Sequence, residues 1–193
     1  AKYPDCSLAD LYDELTMRGI KPIIGCEVYV ARRSMELKDK SVKEDQGGWH
    51  LILLAKNLKG YKNLIKIVSK AWTDGFYMRP RTDRVELEKY HEGLIVCSAC
   101  IAGEVPRKII QGRLEEAEEA IQWYKRVFGD DFYLELQRHK ATVARANHEA
   151  YGMQQVANEK LIEYSRKFGV KLVCTNDVHF VDEENAEAHD RLI

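Results

Sequence analysis

Side chains of the types that bind metal ions lie in or directly after several apolar segments of this sequence. Glu27 lies within the first of these segments, Cys100 and His139 follow two later ones, and Asp177 and His179 follow the last. Asp177 and His179 are two residues apart, so in an extended backbone both side chains point the same way. Carboxylate, imidazole and thiolate groups are the common ligands of zinc and related divalent ions. The pattern therefore predicts a shared metal ion or a metal pair.

Strand and helix patterns alternate along the chain, which indicates an α/β fold with a mainly parallel sheet or a barrel. Short apolar runs predict strands at 22–30, 50–55, 94–98, 132–137 and 171–175. Helical periodicity predicts helices at 7–18, 58–72, 113–127 and 143–168, and a last helix from near Asp182. Active sites of α/β barrels are built where the strands end, so we expect the candidate ligands on one rim.

Two of the helices carry more specific signals. Ser7 and Asp10 have the spacing of a capping box, with Asp in place of the usual Glu. Apolar residues at helical spacing predict the buried stripes of the helices at 58–72 and 113–127. The first stripe comprises Leu58, Tyr61, Leu64, Ile65 and Val68, and the second comprises Leu114, Ala117, Ile121, Tyr124 and Phe128.

His50 fits the rim less directly, because it stands at the start of its predicted strand. It reaches the same rim only if that strand runs in the opposite direction or the preceding loop folds over. Simpler interpretations also stay open: Glu27 could be a solvated strand-end carboxylate, and His50 a surface residue.

Cys97 and Cys100 form a C-x-x-C without a second pair to complete a zinc ribbon. Cys97 is the better core residue and Cys100 the better ligand.

The remaining histidines and a basic loop carry weaker signals. We expect His91 and His148 at the surface, and the sequence leaves His189 undecided. Three arginines lie beside Phe76 and Tyr77 and either bind phosphate or form salt bridges in a solvated loop. These are Arg79, Arg81 and Arg84.

Composition fits one soluble domain spanning residues 1–193, with a charged loop at 32–48 that we expect to be mobile. Of the 193 residues, 45% are hydrophobic, and the net charge is −1, which lacks the basic excess of a dedicated nucleic-acid clamp. Five cysteines, an odd number, argue against a secreted disulfide scaffold and favour a reducing cytoplasm. No apolar run is long enough to span a membrane, and no glycine-rich nucleotide-binding motif occurs.

Several stretches of this sequence resemble the PHP (polymerase and histidinol phosphatase) domain of bacterial DNA polymerase III alpha subunits. The resemblance covers nearly all of the chain from Gly19 onward, in order. It is carried by GIKPIIGCEVYV (19–30), HLILLA (50–55), NLKGYKNL (57–64), GFYMRPR (75–81), CIAGEV (100–105), LELQRH (134–139) and TNDVHF (175–180).

The resemblance implies a distorted, TIM-like βα barrel with several divalent metal ions, zinc, manganese or magnesium, at its C-terminal rim. Family ligand positions match Glu27, His50, Cys100, Asp177 and His179, and His139 matches a position near the site that orients a phosphate or transfers a proton. The His-x-His and Thr-Asp-His motifs with which the family opens do not occur here. We therefore expect a barrel incomplete at its N-terminal end and a partial metal site.

Three functional hypotheses follow. In the first, the chain is the PHP part of a replicative DNA polymerase, where it hydrolyses phosphoesters in proofreading or cleaves pyrophosphate. Such a parent protein would bind DNA, deoxynucleotides, an exonuclease subunit and the sliding clamp. In the second, it is a stand-alone PHP phosphoesterase. In the third, it is a non-catalytic scaffold that docks the exonuclease subunit.

Overall fold

The computed structural model describes residues 7–140, 149–182 and 185–192. Its framework is a six-stranded mixed sheet flanked by helices. The strands are β1 (Gly25–Ala31), β2 (Gly48–Ala55), β3 (Arg81–Thr82), β4 (Leu94–Cys97), β5 (Phe132–Gln137) and β6 (Lys171–Thr175). The helices are α1 (Leu8–Met17), α2 (Leu58–Thr73), α3 (Arg84–Lys89), α4 (Glu104–Ile110), α5 (Leu114–Phe128), α6 (Glu149–Phe168) and α7 (Ala186–Leu192).

The strands lie in the order β3-β1-β2-β4-β5-β6. β2 runs antiparallel to both of its neighbours, whereas the β1–β3, β4–β5 and β5–β6 pairs are parallel. The α/β class is confirmed, but the sheet is more mixed than the expected mainly parallel one. The connection between β1 and β2 contains only a 3-10 turn at Lys43–Gln46 and no α-helix, the element that usually forms the crossover of a parallel pair. Within the described residues β3 and β6 are the sheet edges, so a closed barrel stays a prediction.

One face of the sheet, here called the covered face, packs against α2, α5 and α6 to form the apolar core. The strands contribute to it Val28, Val30, Trp49, Leu51, Leu53, Leu94, Val96, Phe132 and Leu134. Alternate residues point to the other side, here called the opposite face. These include Glu27, Tyr29, His50, Ile52, Cys97, Glu135, Gln137 and Thr175. The polar candidates therefore share one face because strand periodicity separates them from the core.

Helix α2 is rotated relative to the stripe that the sequence predicted. Leu58 and Ile65 are exposed, whereas Gly60 and Asn63 are buried together with Leu64. Gly60 lies so close to the loop before β4 that an added Cβ would come within 1.8 Å of the Gly93 carbonyl oxygen. The Asn63 amide donates to the carbonyl of Glu92 at 2.9 Å. The contacts of Gly60 with Gly93 and of Asn63 with Glu92 set the rotation of α2 about its axis. The spacing of apolar residues in the sequence does not reveal these contacts.

The other predicted elements agree with the structure within a few residues. Ser7 caps α1 through the expected capping box with Asp10, and the expected face of α5 is buried except at Leu114. The short elements β3, α3 and α4 were not predicted. Residues 141–148, including His148, and residues 183–184 lie outside the described parts, so predictions for those positions stay open.

In the described ranges, no helix is both long and apolar enough to cross a membrane.

The charged loop at 32–47 forms specific contacts with the rest of the chain, and its mobility stays a prediction. The fully buried Arg81 guanidinium donates to the carbonyls of Met35, Leu37 and Asp45 at 2.8–3.0 Å. Asp45 is also buried and accepts two hydrogen bonds from Arg33. These bonds fasten the loop over the β3 edge.

Candidate metal site at the sheet rim

Glu27 and His50 meet across the β1–β2 pair. Their strands are antiparallel, and the register sets Tyr29 opposite His50, which places both candidate ligands on the opposite face. His50 Nδ1 lies 2.9 Å from Glu27 Oε1. The start of β2 lies at the rim where the parallel strands end, because β2 runs in the opposite direction. This is one of the two conditions under which the sequence predicted that His50 reaches the rim.

Cys100 reaches the same point from the end of β4. The chain turns tightly over residues 98–103, where the Gly103 amide donates to the Cys100 carbonyl at 2.8 Å. A Cβ at Gly103 would meet the Ser98 carbonyl oxygen at 2.0 Å, so this turn requires glycine. The turn also accepts a hydrogen bond from the His50 amide at the Ala102 carbonyl. Cys100 Sγ consequently lies 3.7 Å from His50 Nδ1.

The electrostatics of this cluster favour a charged pair. Contacts with Cys100 and with Glu27 raise the pKa of His50 to about 9, although partial burial opposes the shift. The hydrogen bond from His50 lowers the pKa of Glu27, and the electrostatic influence of the His179 ring and of the Arg79 guanidinium adds to that effect. In the metal-free protein a proton on His50 Nδ1 therefore occupies the position between carboxylate and thiol.

The segment after β6 brings His179 near enough to Glu27 to contribute to lowering the pKa of its carboxyl. Asp177 has a left-handed backbone with φ of 46°, and its carbonyl lies 2.7 Å from His179 Nδ1. The His179 ring packs edge-on against that of His189, with the centroids 5.5 Å apart. His189, which the sequence left undecided, thus lies beside a candidate ligand.

His139 follows β5 and is held between this segment and α6. Its Nε2 lies 2.6 Å from the Asn176 carbonyl, and its Nδ1 lies 2.7 Å from the Gln154 side-chain amide nitrogen. A neutral imidazole with its proton on Nε2 satisfies both contacts, since a carbonyl accepts and an amide N–H donates. The ring is therefore fixed beside the segment that carries Asp177 and His179.

The three loop arginines occupy different environments. Arg79 is exposed, donates to the Tyr29 hydroxyl at 2.6 Å and lies near Glu27. Arg84 is half-buried, pairs with Glu104 at 2.8 Å and stacks over Trp123. Arg81 is fully buried among backbone carbonyls. The structure brings Arg79 to the rim and leaves the other two in structural contacts.

Glu27, His50 and Cys100 carry the oxygen, nitrogen and sulfur donor types that zinc binds. A nitrogen and a sulfur that share a tetrahedral zinc ion lie about 3.5 Å apart, and the His50 Nδ1 to Cys100 Sγ separation is 3.7 Å. The His50 Nδ1 to Glu27 Oε1 separation of 2.9 Å is that of a hydrogen bond, so binding would need a small shift. In the described ranges no three such residues are arranged so that they could hold a metal ion without movement.

Sequence analysis missed two residues that support this rim. Tyr29 packs edge-on against His50 and accepts from Arg79. Glu135 is buried within β5, and its carboxylate accepts a hydrogen bond from the amide of Ala99, the residue before Cys100. The signal for Glu135 was present, because an acidic residue stands between Leu134 and Leu136 in an otherwise buried strand.

Comparison with known proteins defines the family of this chain. The model of the PHP domain family matches residues 3–139, and the chain belongs to that family. The chain is similar to part of the protein named DNA polymerase III subunit alpha in three bacteria. It is 50% identical to that of Borreliella burgdorferi over 185 residues, 40% to that of Thermus aquaticus over 184 and 41% to that of Aquifex aeolicus over 186. These matches cover 94–95% of this chain and 14–15% of each relative, so the chain spans about one seventh of their length.

Proposed function

We propose that this chain is the PHP part of a bacterial DNA polymerase III alpha subunit and that its rim hydrolyses phosphoesters with divalent metal ions. The observation that carries the proposal is the contact of His50 Nδ1 with both the Glu27 carboxylate and the Cys100 thiol. It is supported by the names of relatives that are 35–50% identical to this chain.

The proposed ligands are Glu27, His50, Cys100, Asp177 and His179. Zinc, manganese and magnesium are candidates, and the thiol and imidazole donors favour zinc. A divalent ion in such a site activates water for attack on phosphorus and neutralises charge on the phosphate oxygens. We further propose that the PHP-type barrel includes strands in addition to those described and that residues 1–193 belong to a single domain.

His139 and Arg79 are the proposed groups that act on the phosphate. His139 is proposed to orient a phosphate or transfer a proton, and for this its ring must exchange its contact with the Asn176 carbonyl or with the Gln154 amide for one with the phosphate. Arg79 has an exposed guanidinium next to Glu27, suited to a phosphate oxygen or a DNA strand. Arg84 is a weaker candidate because Glu104 already pairs with it. Arg81 is left out because its donors are used by the chain itself.

For the whole protein we propose DNA-directed DNA polymerisation in the bacterial cytoplasm. Its partners would be DNA, deoxynucleotides, the exonuclease subunit and the sliding clamp. We assign polymerisation to the parts of the relatives that lie outside the matched region, which is 14–15% of their length. The described rim would then supply proofreading or pyrophosphate cleavage to that enzyme.

The test uses the full-length gene product, prepared without metal and then titrated with zinc and manganese. We expect tight metal binding and 3′-exonuclease activity, both lost in His179→Ala. The control is His91→Ala, an exposed histidine near the opposite end of β4, which should leave both unchanged. If the full-length protein binds no metal and His179→Ala has unchanged activity, the hydrolase proposal is wrong. The remaining hypothesis is then a non-catalytic scaffold that docks an exonuclease subunit. Cleavage of small phosphate monoesters without any on DNA would favour the stand-alone phosphoesterase.

A further inference from the structure

We infer that Glu135 is a positioning residue whose buried carboxylate anchors the ends of β4, β5 and β6. Through these anchors it holds Cys100 and the segment carrying Asp177 and His179 in place beside His50. The inference rests on the proposed metal site, but it concerns a residue outside the proposed ligand set. If it holds, the Glu135 side chain fixes the positions of three strand ends relative to one another.

Glu135 is placed by β5 on the opposite face, and only 5% of its surface is exposed. It lies on the same face as Cys97, two residues beyond Tyr133, which is the β5 residue paired with Cys97. Burial raises the pKa of the Cys97 thiol to about 12, and the nearby charge of Glu135 adds to that shift. Cys97 is therefore a core thiol, as the sequence predicted, and Glu135 is a buried carboxyl group near it.

The first anchor fixes the turn that carries Cys100. Glu135 Oε2 accepts from the Ala99 amide at 2.9 Å, and the Glu135 amide donates to the Ser98 hydroxyl at 2.8 Å. Ala99 has a left-handed backbone with φ of 61°, which costs energy for a residue with a Cβ. Such a conformation persists only when surrounding contacts hold it, and the carboxylate supplies one of them. The next residue is Cys100, so this bond helps to set the direction of its thiol.

The second and third anchors reach the neighbouring strand ends. The other carboxylate oxygen accepts from the Gln137 side-chain amide at 3.1 Å and from the Thr175 hydroxyl in a short hydrogen bond. Gln137 lies two residues before His139. Thr175 directly precedes Asn176, whose carbonyl contacts His139. One carboxylate thus links the turn after β4, the end of β5 and the start of the segment that carries Asp177 and His179.

A comparison with Glu104 shows that stability alone is a poor explanation for this placement. Glu104 is equally buried, at 6% exposed, but it pairs with the cations Arg84 and Lys108. The three groups that donate to Glu135 are all neutral. A carboxylate buried among neutral donors is costlier than one that is paired with a cation. Ionisable groups in such settings concentrate at functional sites.

The test compares Glu135→Leu with Glu104→Leu in the full-length gene product. Both substitutions remove a buried carboxylate with its hydrogen bonds, but only the Glu135 carboxylate bonds to the turn after β4 and to the ends of β5 and β6. Glu135→Gln is the conservative variant: it can still accept from Ala99, and Gln137 can rotate so that its buried, unpartnered Oε1 accepts from the new amide. Thermal melts identify a temperature at which all of these variants are folded, and comparisons are made there.

The first readout is titration with Co²⁺, whose thiolate absorption band reports ligation by Cys100. We expect Glu135→Leu to weaken Co²⁺ binding by about tenfold or more and to reduce the band, in line with the usual effect of groups that orient metal ligands. Glu135→Gln should fall between it and the wild type, and Glu104→Leu should bind like the wild type. Unchanged binding in Glu135→Leu, or equal weakening in Glu104→Leu, would overturn the inference.

The second readout needs no metal and separates this inference from the proposed function. Mass spectrometry follows the rate at which iodoacetamide alkylates Cys100 in the metal-free protein. We expect roughly tenfold faster alkylation in Glu135→Leu, because the turn is released, and no change in Glu104→Leu. If the wild type binds no Co²⁺ but this difference appears, the metal proposal fails and the positioning role stands. Equal alkylation rates in both variants would remove the positioning role.

Discussion

The two faces of the sheet are built from the same strands but follow different rules. On the covered face, Val30, Leu53 and Leu134 are completely buried against helices. On the opposite face, alternate positions of those strands carry Tyr29, Ile52 and Glu135. The first face is stabilised by removing apolar surface from water, and the second by specific hydrogen bonds between polar groups.

This difference shows how one small domain separates stability from chemistry. A polar group buried without hydrogen-bond partners costs free energy, so the apolar covered face is a poor place for ligands that need water or ions. The opposite face leaves Glu27 and His50 partly exposed, with 33% and 26% of their side-chain surfaces accessible. Substitutions on the two faces should therefore affect different properties.

The largest effect should come from paired truncations on adjacent residues of β2. Leu53→Ala removes a completely buried side chain and should lower the free energy of unfolding by about 3 kcal/mol. Ile52→Ala, on the partly exposed opposite face, should cost only about 1 kcal/mol. Urea denaturation of both variants measures the two values. Equal losses would show that the opposite face is as tightly packed as the covered one.

An intermediate effect should come from Arg81 in the edge strand β3. Its guanidinium is fully buried, unlike the apolar side chains of the covered face and the partly exposed polar groups of the opposite face. Arg81→Lys should cost roughly 2 kcal/mol, because one ammonium cannot reach all the carbonyls that the guanidinium satisfies. It should also expose the 32–47 loop to limited proteolysis. Arg79→Lys, two residues earlier and exposed, is the matched control and should change neither measurement. Full protease resistance of the Arg81→Lys loop would contradict the role assigned to this residue.

The smallest effect should come from Tyr29→Phe on the opposite face. It removes the hydroxyl that accepts from Arg79 but keeps the ring that packs on His50. Because the contact is solvent-exposed, stability should change by less than about 0.5 kcal/mol. Freed Arg79 should become more sensitive to modification by phenylglyoxal, measured by mass spectrometry. A stability loss several times larger would mean that this face contributes to the core after all.

The sequence anticipated much of this molecule where the signal is local. The strands at 132–137 and 171–175 were predicted at their observed bounds, and the capping box at Ser7 formed as expected. These elements depend on neighbours within a few residues, which a single sequence reveals. The helix α2 was rotated away from its predicted stripe, because the contact between Gly60 and Gly93 joins segments far apart in the chain.

The same division holds for the candidate site. Residue types and their positions after successive strands marked Glu27, Cys100, His139, Asp177 and His179 as belonging to one rim, because parallel strands end at the same edge. Only the tertiary structure decided that β2 runs antiparallel, which brings His50 against Glu27 and Cys100. It alone also separated Arg81 from Arg79 and gave Glu135 its place between three strand ends. Strand direction and long-range hydrogen bonds arise from contacts between distant segments, and one sequence does not encode them in any local pattern.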